Sequence, residues 1–92
     1  MLSEFFYIAE LLEENGRSLS LPHARYIGDD IFELRFETVE GSVRVLYFFF
    51  HQDSAVLTNG FLKKTDQTPR GEKMTALERR REYFQRHSKE DA

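Results

Sequence analysis

Four basic residues are spaced to meet an anion at one end of a small sheet. Arg35 and Arg44 fall within strand-like segments, and Lys63-Lys64 closes a third. Arginine suits a phosphate because its planar fork pairs two oxygens at once. Lysine serves as a point charge, or accepts a proton where its pKa is lowered. Tyr47 and Tyr83 add phenols. These types fit RNA cleavage in which the ribose 2′-OH attacks the neighbouring phosphate. That reaction needs an acceptor for the 2′ proton, a donor for the leaving oxygen, and cations for the charge that grows on phosphorus. The acids and histidines show no ligand spacing, so the sequence implies no metal and no cofactor. With no cysteine there is no thiolate, no disulfide and no Cys nucleophile. No P-loop, dinucleotide fingerprint or Ser-His-Asp spacing occurs.

Each candidate has a plainer explanation. Arg44 interrupts an otherwise apolar strand, where an unpaired charge is costly, so it reads as functional unless Glu33 or Glu37 pairs with it. Arg35 is equally a solvated cross-strand partner. Lys63 and Lys64 are also what an edge strand uses against aggregation. Tyr47, among apolar neighbours, reads as core. Tyr83 is either a helix stripe or a site edge. Arg79-Arg80-Arg81 winds around a helix and is mostly solvated surface; Arg80 and Arg81 are the members placed to meet RNA. His51 reads as an exposed turn, His87 as a terminal residue. His23, after Pro22, bonds its loop or approaches RNA.

The elements that would position these groups are few. Ser3 to Asn15 carries apolar residues at helical spacing (Leu2, Phe5, Phe6, Ala9, Leu12), with Ser3 as N-cap and Asn15-Gly16 as stop. Ile31 to Glu37 alternates, which puts Phe32, Leu34 and Phe36 on one face and Glu33, Arg35 and Glu37 on a polar one. Val43 to Phe50, apolar on both faces except at Arg44, reads as the central strand. Ala55 to Leu62 reads as the third strand of a meander, after a turn at His51 to Ser54. Thr68 and Pro69 then open a helix with a thin apolar stripe at Met74, Leu77 and Phe84, and Ser88 to Ala92 reads as a fraying end. The fold class is α+β: an N-terminal helix on a three-stranded antiparallel meander, then a C-terminal helix, as one domain over residues 1–92.

The net charge of −3 argues against a generic nucleic-acid binder, but its distribution is uneven. Residues 1–62 hold 4 basic against 10 acidic side chains, and residues 63–92 hold 9 against 6. A cationic third therefore follows an acidic body, which disfavours free RNA. The first helix lacks the basic start and apolar run of a secretory signal, no run nears the length of a membrane span, and the lack of cysteine is compatible with a reducing cytoplasm.

Leu21-Pro22-His23, Ile27-Gly28-Asp29, Phe32-Glu33-Leu34-Arg35-Phe36, Arg44-Val45-Leu46-Tyr47-Phe48-Phe49, Gly60-Phe61-Leu62-Lys63-Lys64-Thr65 and Thr68-Pro69 occur in this order. The set resembles the phage-derived, HigB-like branch of the RelE/ParE toxin superfamily, from about Leu11 to about Gln85. The resemblance implies a RelE-like fold and the toxin of a type II toxin–antitoxin pair. It also implies mRNA cleavage in the ribosomal A site, and inhibition by a cognate antitoxin, often a helix-turn-helix protein. Arg35, Arg44, Lys63, Lys64 and Tyr83, whose types fit this chemistry, are the catalytic candidates. A gyrase-blocking toxin of the same superfamily, and a truncated module that only binds an antitoxin-like partner, are the alternatives. Two departures are expected to matter: the opening strand and first helix of the family are missing before Leu2, and Asn59 stands where relatives often carry a histidine.

Overall fold

The computed structural model describes residues 2–65 and 67–91, without the side chains of 88–91. Helix α1 spans Leu2–Asn15, and a single 3-10 turn, Gly16–Ser18, ends it. The strands are β1 (Ala24–Tyr26), β2 (Phe32–Thr38), β3 (Gly41–Phe50) and β4 (Ser54–Leu62); α2 spans Arg70–Asp91. The strands form one antiparallel sheet in sequence order, β1-β2-β3-β4. The α+β class, with a helix on a meander, is therefore what the molecule has. The sheet has four strands where the sequence reading gave three. Strand β1 was missed because three residues, Ala24-Arg25-Tyr26, are too few for alternation to show. Ala92 lies outside the described residues, and the helix persists to Asp91 where fraying was expected.

Alternation sends odd and even residues of β3 to opposite faces. Tyr47 and Phe49 pack with Leu34, Ala24, Ile8 and Leu12 under α1. Leu46, Phe48 and Phe50 pack with Ile31 and Ala76 under α2, with Tyr83 and Phe84 against them. Tyr47 is core, as its neighbours implied, at 1% exposure. The helix stripes keep Leu12, Leu77 and Phe84 of the positions read in sequence and differ at others. In α1 the buried positions are Ile8 and Leu12, while Leu2 and Phe6 face outward. In α2 Met74 is exposed and Ala76 takes the sheet-facing place. Small Ala76 lets the helix approach, and the stems of Lys73 and Arg80 complete the stripe.

Both expected caps are replaced. Ser3 lies inside α1, where its hydroxyl donates to Glu4 at 2.9 Å. Thr68 does not cap α2; its hydroxyl donates to Glu33 Oε2 at 2.7 Å, and the Pro69 carbonyl accepts the first helical bonds from Glu72 and Lys73. The β1–β2 turn runs through left-handed backbone at Gly28, Asp29 and Asp30. Gly28 suits its φ of +94°, and a Cβ there would meet the Lys73 ammonium at 3.2 Å, so that side chain would have to shift slightly. Lys73 locks this turn to α2, donating to the Ile27 carbonyl at 2.9 Å and pairing with Asp29 at 3.1 Å.

Candidate active site on the open end of the sheet

Strand register sorts the face beneath α2 into rows. Arg25, Glu33, Leu46 and Asn59 form one row, and Arg35, Arg44 and Phe61 the next. Beyond them Glu37 is opposite Ser42, and the Lys63 amide donates to the Ser42 carbonyl at 2.8 Å. Helix α2 begins over the first row: Thr68 reaches Glu33, and the Asn59 amide donates to the Glu72 carbonyl at 3.1 Å and its carboxylate at 2.9 Å. The helix then runs toward Phe50, where Tyr83 and Phe84 meet that ring. The rows that hold Arg35, Arg44 and Lys63 lie outside the span from Asn59 to Phe50 that α2 packs on.

Arg44 is 5% exposed, and Glu33 beside it is fully buried. The Glu33 carboxylate is shared: Arg44 Nε approaches Oε1 at 3.7 Å and Arg25 Nη2 approaches the same oxygen at 3.5 Å. Neither contact is a good hydrogen bond, and Glu33 Oε1, Arg44 Nε and Arg25 Nε all lack a hydrogen-bond partner among the described residues. Arg44 Nη1 donates to the Val43 carbonyl at 3.0 Å, which fixes the head of the guanidinium. Pairing with Glu33, the plainer account of Arg44, is thus present and incomplete. The polar-face expectation for Glu33 is corrected: the start of α2 and two arginines enclose it, so this carboxylate belongs to the interior.

Crowded cations show in the electrostatics. Burial, and then the charge of Arg35, hold the Arg44 guanidinium below its ordinary pKa against the pull of Glu33 and Glu37. Burial, and then Arg44, likewise lower the Lys63 ammonium, with Arg35 and Arg25 adding to the effect. Desolvation and like charges both disfavour the protonated form. Lys63 is half-buried and Lys64 is exposed. Among the described residues the side chains of Arg35 and Lys63 have no ion pair or hydrogen bond. A cleft of about 820 Å³ opens at the free edge of β2 past the end of β1, and Arg35, Arg44, His23, Glu37, Tyr7 and Pro22 are among its walls. The Arg35 amide donates to the His23 carbonyl at 2.8 Å, which places His23 at the rim.

The structure brings Arg35, Arg44, Lys63 and His23 to one end of the sheet, with Lys64 just beyond. Tyr83 is elsewhere. It packs edge-on to Phe48 and Phe50, four and six strand residues from Arg44 or roughly 13–20 Å by strand rise, and stacks on His87 at 3.8 Å. Arg80 reaches Asp30 at 3.5 Å and lies over the Phe84 ring at 4.6 Å; Arg81 pairs with Glu78 on the surface. Sequence reasoning passed over Arg25 and the bracing role of Asn59, and took Glu33 only as the alternative partner of Arg44. A cue for Glu33 was present: it lies one row from Arg44 and was already named as its alternative partner. No group of three or more His, Asp or Glu residues among those described is arranged to hold a metal.

The family model described as Phage derived protein Gp49-like (DUF891) matches residues 2–81. The match covers most of the chain and spans every row of the site, so the protein belongs to this family. Membership supports the phage-derived resemblance coarsely and is consistent with the toxin of a toxin–antitoxin pair. No curated protein and no solved structure gives a match. Among the described residues no helix is long and apolar enough to cross a membrane.

Proposed function

From membership in the Gp49-like family and the geometry of the open sheet end, we propose that the protein is a toxin that cuts mRNA on the ribosome. The observation that carries this reading is the crowding of Arg35, Arg44 and Lys63 around too little negative charge. Arg35 and Arg44 hold the non-bridging oxygens of the scissile phosphate and stabilise the charge that develops on them. Lys63, placed at the strand end opposite Ser42 beside Arg44, takes the 2′ proton in its neutral form, and burial and Arg44 act in that direction by lowering its pKa. The 2′ oxygen forms its bond to phosphorus as the bond to the 5′ oxygen breaks. A proton from water or from Lys64 goes to that leaving oxygen. The products are a 2′,3′-cyclic phosphate and a free 5′-hydroxyl.

The ribosome requirement is supported by the acidic body: with 10 acidic side chains in residues 1–62, free RNA is repelled away from the cluster. An antitoxin would neutralise the protein, and the outward-facing Leu2, Phe6 and Tyr7 of α1, each at least 60% exposed, offer apolar area for such a partner. A second reading, a module that binds its partner without cutting, draws on Asn59. Its amide is committed to Glu72, and its buried Oδ1 has no partner among the described residues.

Induced expression in a bacterium separates these readings. Growth and the 5′ ends of cellular mRNA are followed for the wild type, Arg44→Ala and Arg35→Ala, with folding of each verified. Growth arrest with new in-frame mRNA ends, lost in both variants, is expected. DNA-damage signalling with intact mRNA would replace the nuclease by a gyrase-blocking toxin. Normal growth with folded wild-type protein would leave the partner-binding module.

A further inference from the structure

The row beside the proposed catalytic residues contains a cation with no task yet. Arg25 lies on β1, its side chain 38% exposed, with a buried Nε that no acceptor among the described residues meets. Among the described residues its carboxylate partner is Glu33, which it shares with Arg44 and Thr68. One carboxylate between two guanidiniums leaves positive charge over, and the Arg25 charge extends to both Arg44 and Lys63. A cleft of about 380 Å³ opens beside it, lined by Arg25, Tyr26, Ile27, Gln67, Thr68 and Lys73. Two more sources of positive potential adjoin that cleft. The 22-residue helix α2 starts at its wall, with the positive end of its dipole there, partly offset by Glu72 in the first turn, whose carboxylate accepts from Asn59. Lys73 commits its ammonium to the Ile27 carbonyl and Asp29, and a third N–H remains to donate.

We propose that Arg25, with Lys73 and the start of α2, forms a second anion subsite, which takes a phosphate of the RNA chain next to the one held by Arg35 and Arg44. The subsite rests on the nuclease reading and deepens it, since it gives the substrate a direction across the sheet. The Arg25 and Arg35 rows are two strand residues apart, about 6.7 Å, a distance that neighbouring phosphates of one chain can span. Glu33, in the Arg25 row and within reach of Arg44 in the next, then acts as a positioning residue between the two guanidiniums.

The test uses the intact, isotope-labelled protein at low salt. The arginine Nε–H signals are followed by NMR as inorganic phosphate, and separately an uncleavable 2′-deoxy pentanucleotide, are added. A saturable shift of the Arg25 signal with both probes is expected. Arg25→Gln should weaken pentanucleotide binding about tenfold. It should also flatten the dependence of log affinity on log salt by about 0.7, the share of one phosphate on a single strand. Arg25→Lys, which keeps the charge without the fork, should restore the salt slope and part of the affinity. Pentanucleotide binding that shifts Arg44 but not Arg25, or an unchanged affinity and slope in folded Arg25→Gln, overturns the subsite while the nuclease reading stands. Phosphate binding at Arg25 with no pentanucleotide binding overturns its assignment to RNA. If mRNA stays intact in cells while both probes bind at Arg25, the nuclease reading fails and the subsite for a polynucleotide stands.

Discussion

One face of one strand carries two opposite solutions. From Phe50 back to Leu46, β3 presents Phe50, Phe48 and Leu46 to α2, and each is buried against apolar or aromatic partners. Two residues further along the same face stands Arg44, equally buried, with a shared carboxylate as its main compensation. At the aromatic end Phe48 meets Tyr83 at 5.6 Å and Phe84 at 5.9 Å, and every close contact is favourable. At the charged end two guanidiniums compete for one oxygen, and three side-chain atoms there lack hydrogen bonds. A chain that needed only stability would have continued the first arrangement. The second costs desolvation and like-charge repulsion, and the proposed anion site would account for it.

The contrast sharpens if each end is damaged in turn. Phe48→Ala removes a fully buried ring and should destabilise the fold by about 3–5 kcal/mol, seen as a large fall in the denaturant midpoint with little change in slope. Glu33→Ala strips the charged end of its carboxylate and leaves Arg44 buried without it, at a cost of about 3 kcal/mol in the same measurement. Glu33→Gln keeps the acceptor for Thr68 and should cost less. If Glu33→Ala were instead stabilising, the carboxylate would be no counter-ion, and the contrast between the ends would collapse.

Tyr47, on the opposite face, gives a pH test. Burial raises its phenol to about 12 from 10.0, so the folded state keeps a proton that the unfolded chain gives up. Its contribution is complete below about pH 10 and is lost as pH rises toward 12, on the order of 2 kcal/mol in total. Tyr47→Phe should flatten that part of the stability curve. Lys64→Ala is expected to have the smallest effect, shifting stability by no more than about 0.5 kcal/mol because the side chain is exposed. A larger loss would mean that Lys64 supports the sheet end.

The meander was legible because its strands follow the rules of period two, and Phe32, Leu34 and Phe36 face α1 as alternation requires. What escaped did so where another element overrides the local pattern. Glu33 reads as solvent-facing until α2 is known to start above it. Thr68 reads as a cap until its hydroxyl is seen to have a buried carboxylate within reach. Tyr83 sits two positions after the basic run Arg79-Arg80-Arg81, and only the direction of α2 shows that it closes the aromatic end. Of the site, Arg44 was legible because a lone charge in an apolar strand has few structural excuses. Arg25 was not, since nothing in Ala24-Arg25-Tyr26 announces a strand.

Lys63 separates chemistry from stability most directly, because it stands at a strand end, half-buried and without an ion pair among the described residues. The decisive measurement is mRNA cleavage in a reconstituted translation mixture by the wild type and by Lys63→Met, with denaturant midpoints taken on the same samples. Equal midpoints and a loss of cleavage of about 10²-fold or more, the worth of a positioned proton acceptor, are expected. Full cleavage by Lys63→Met, or none by folded wild-type protein, would contradict that role.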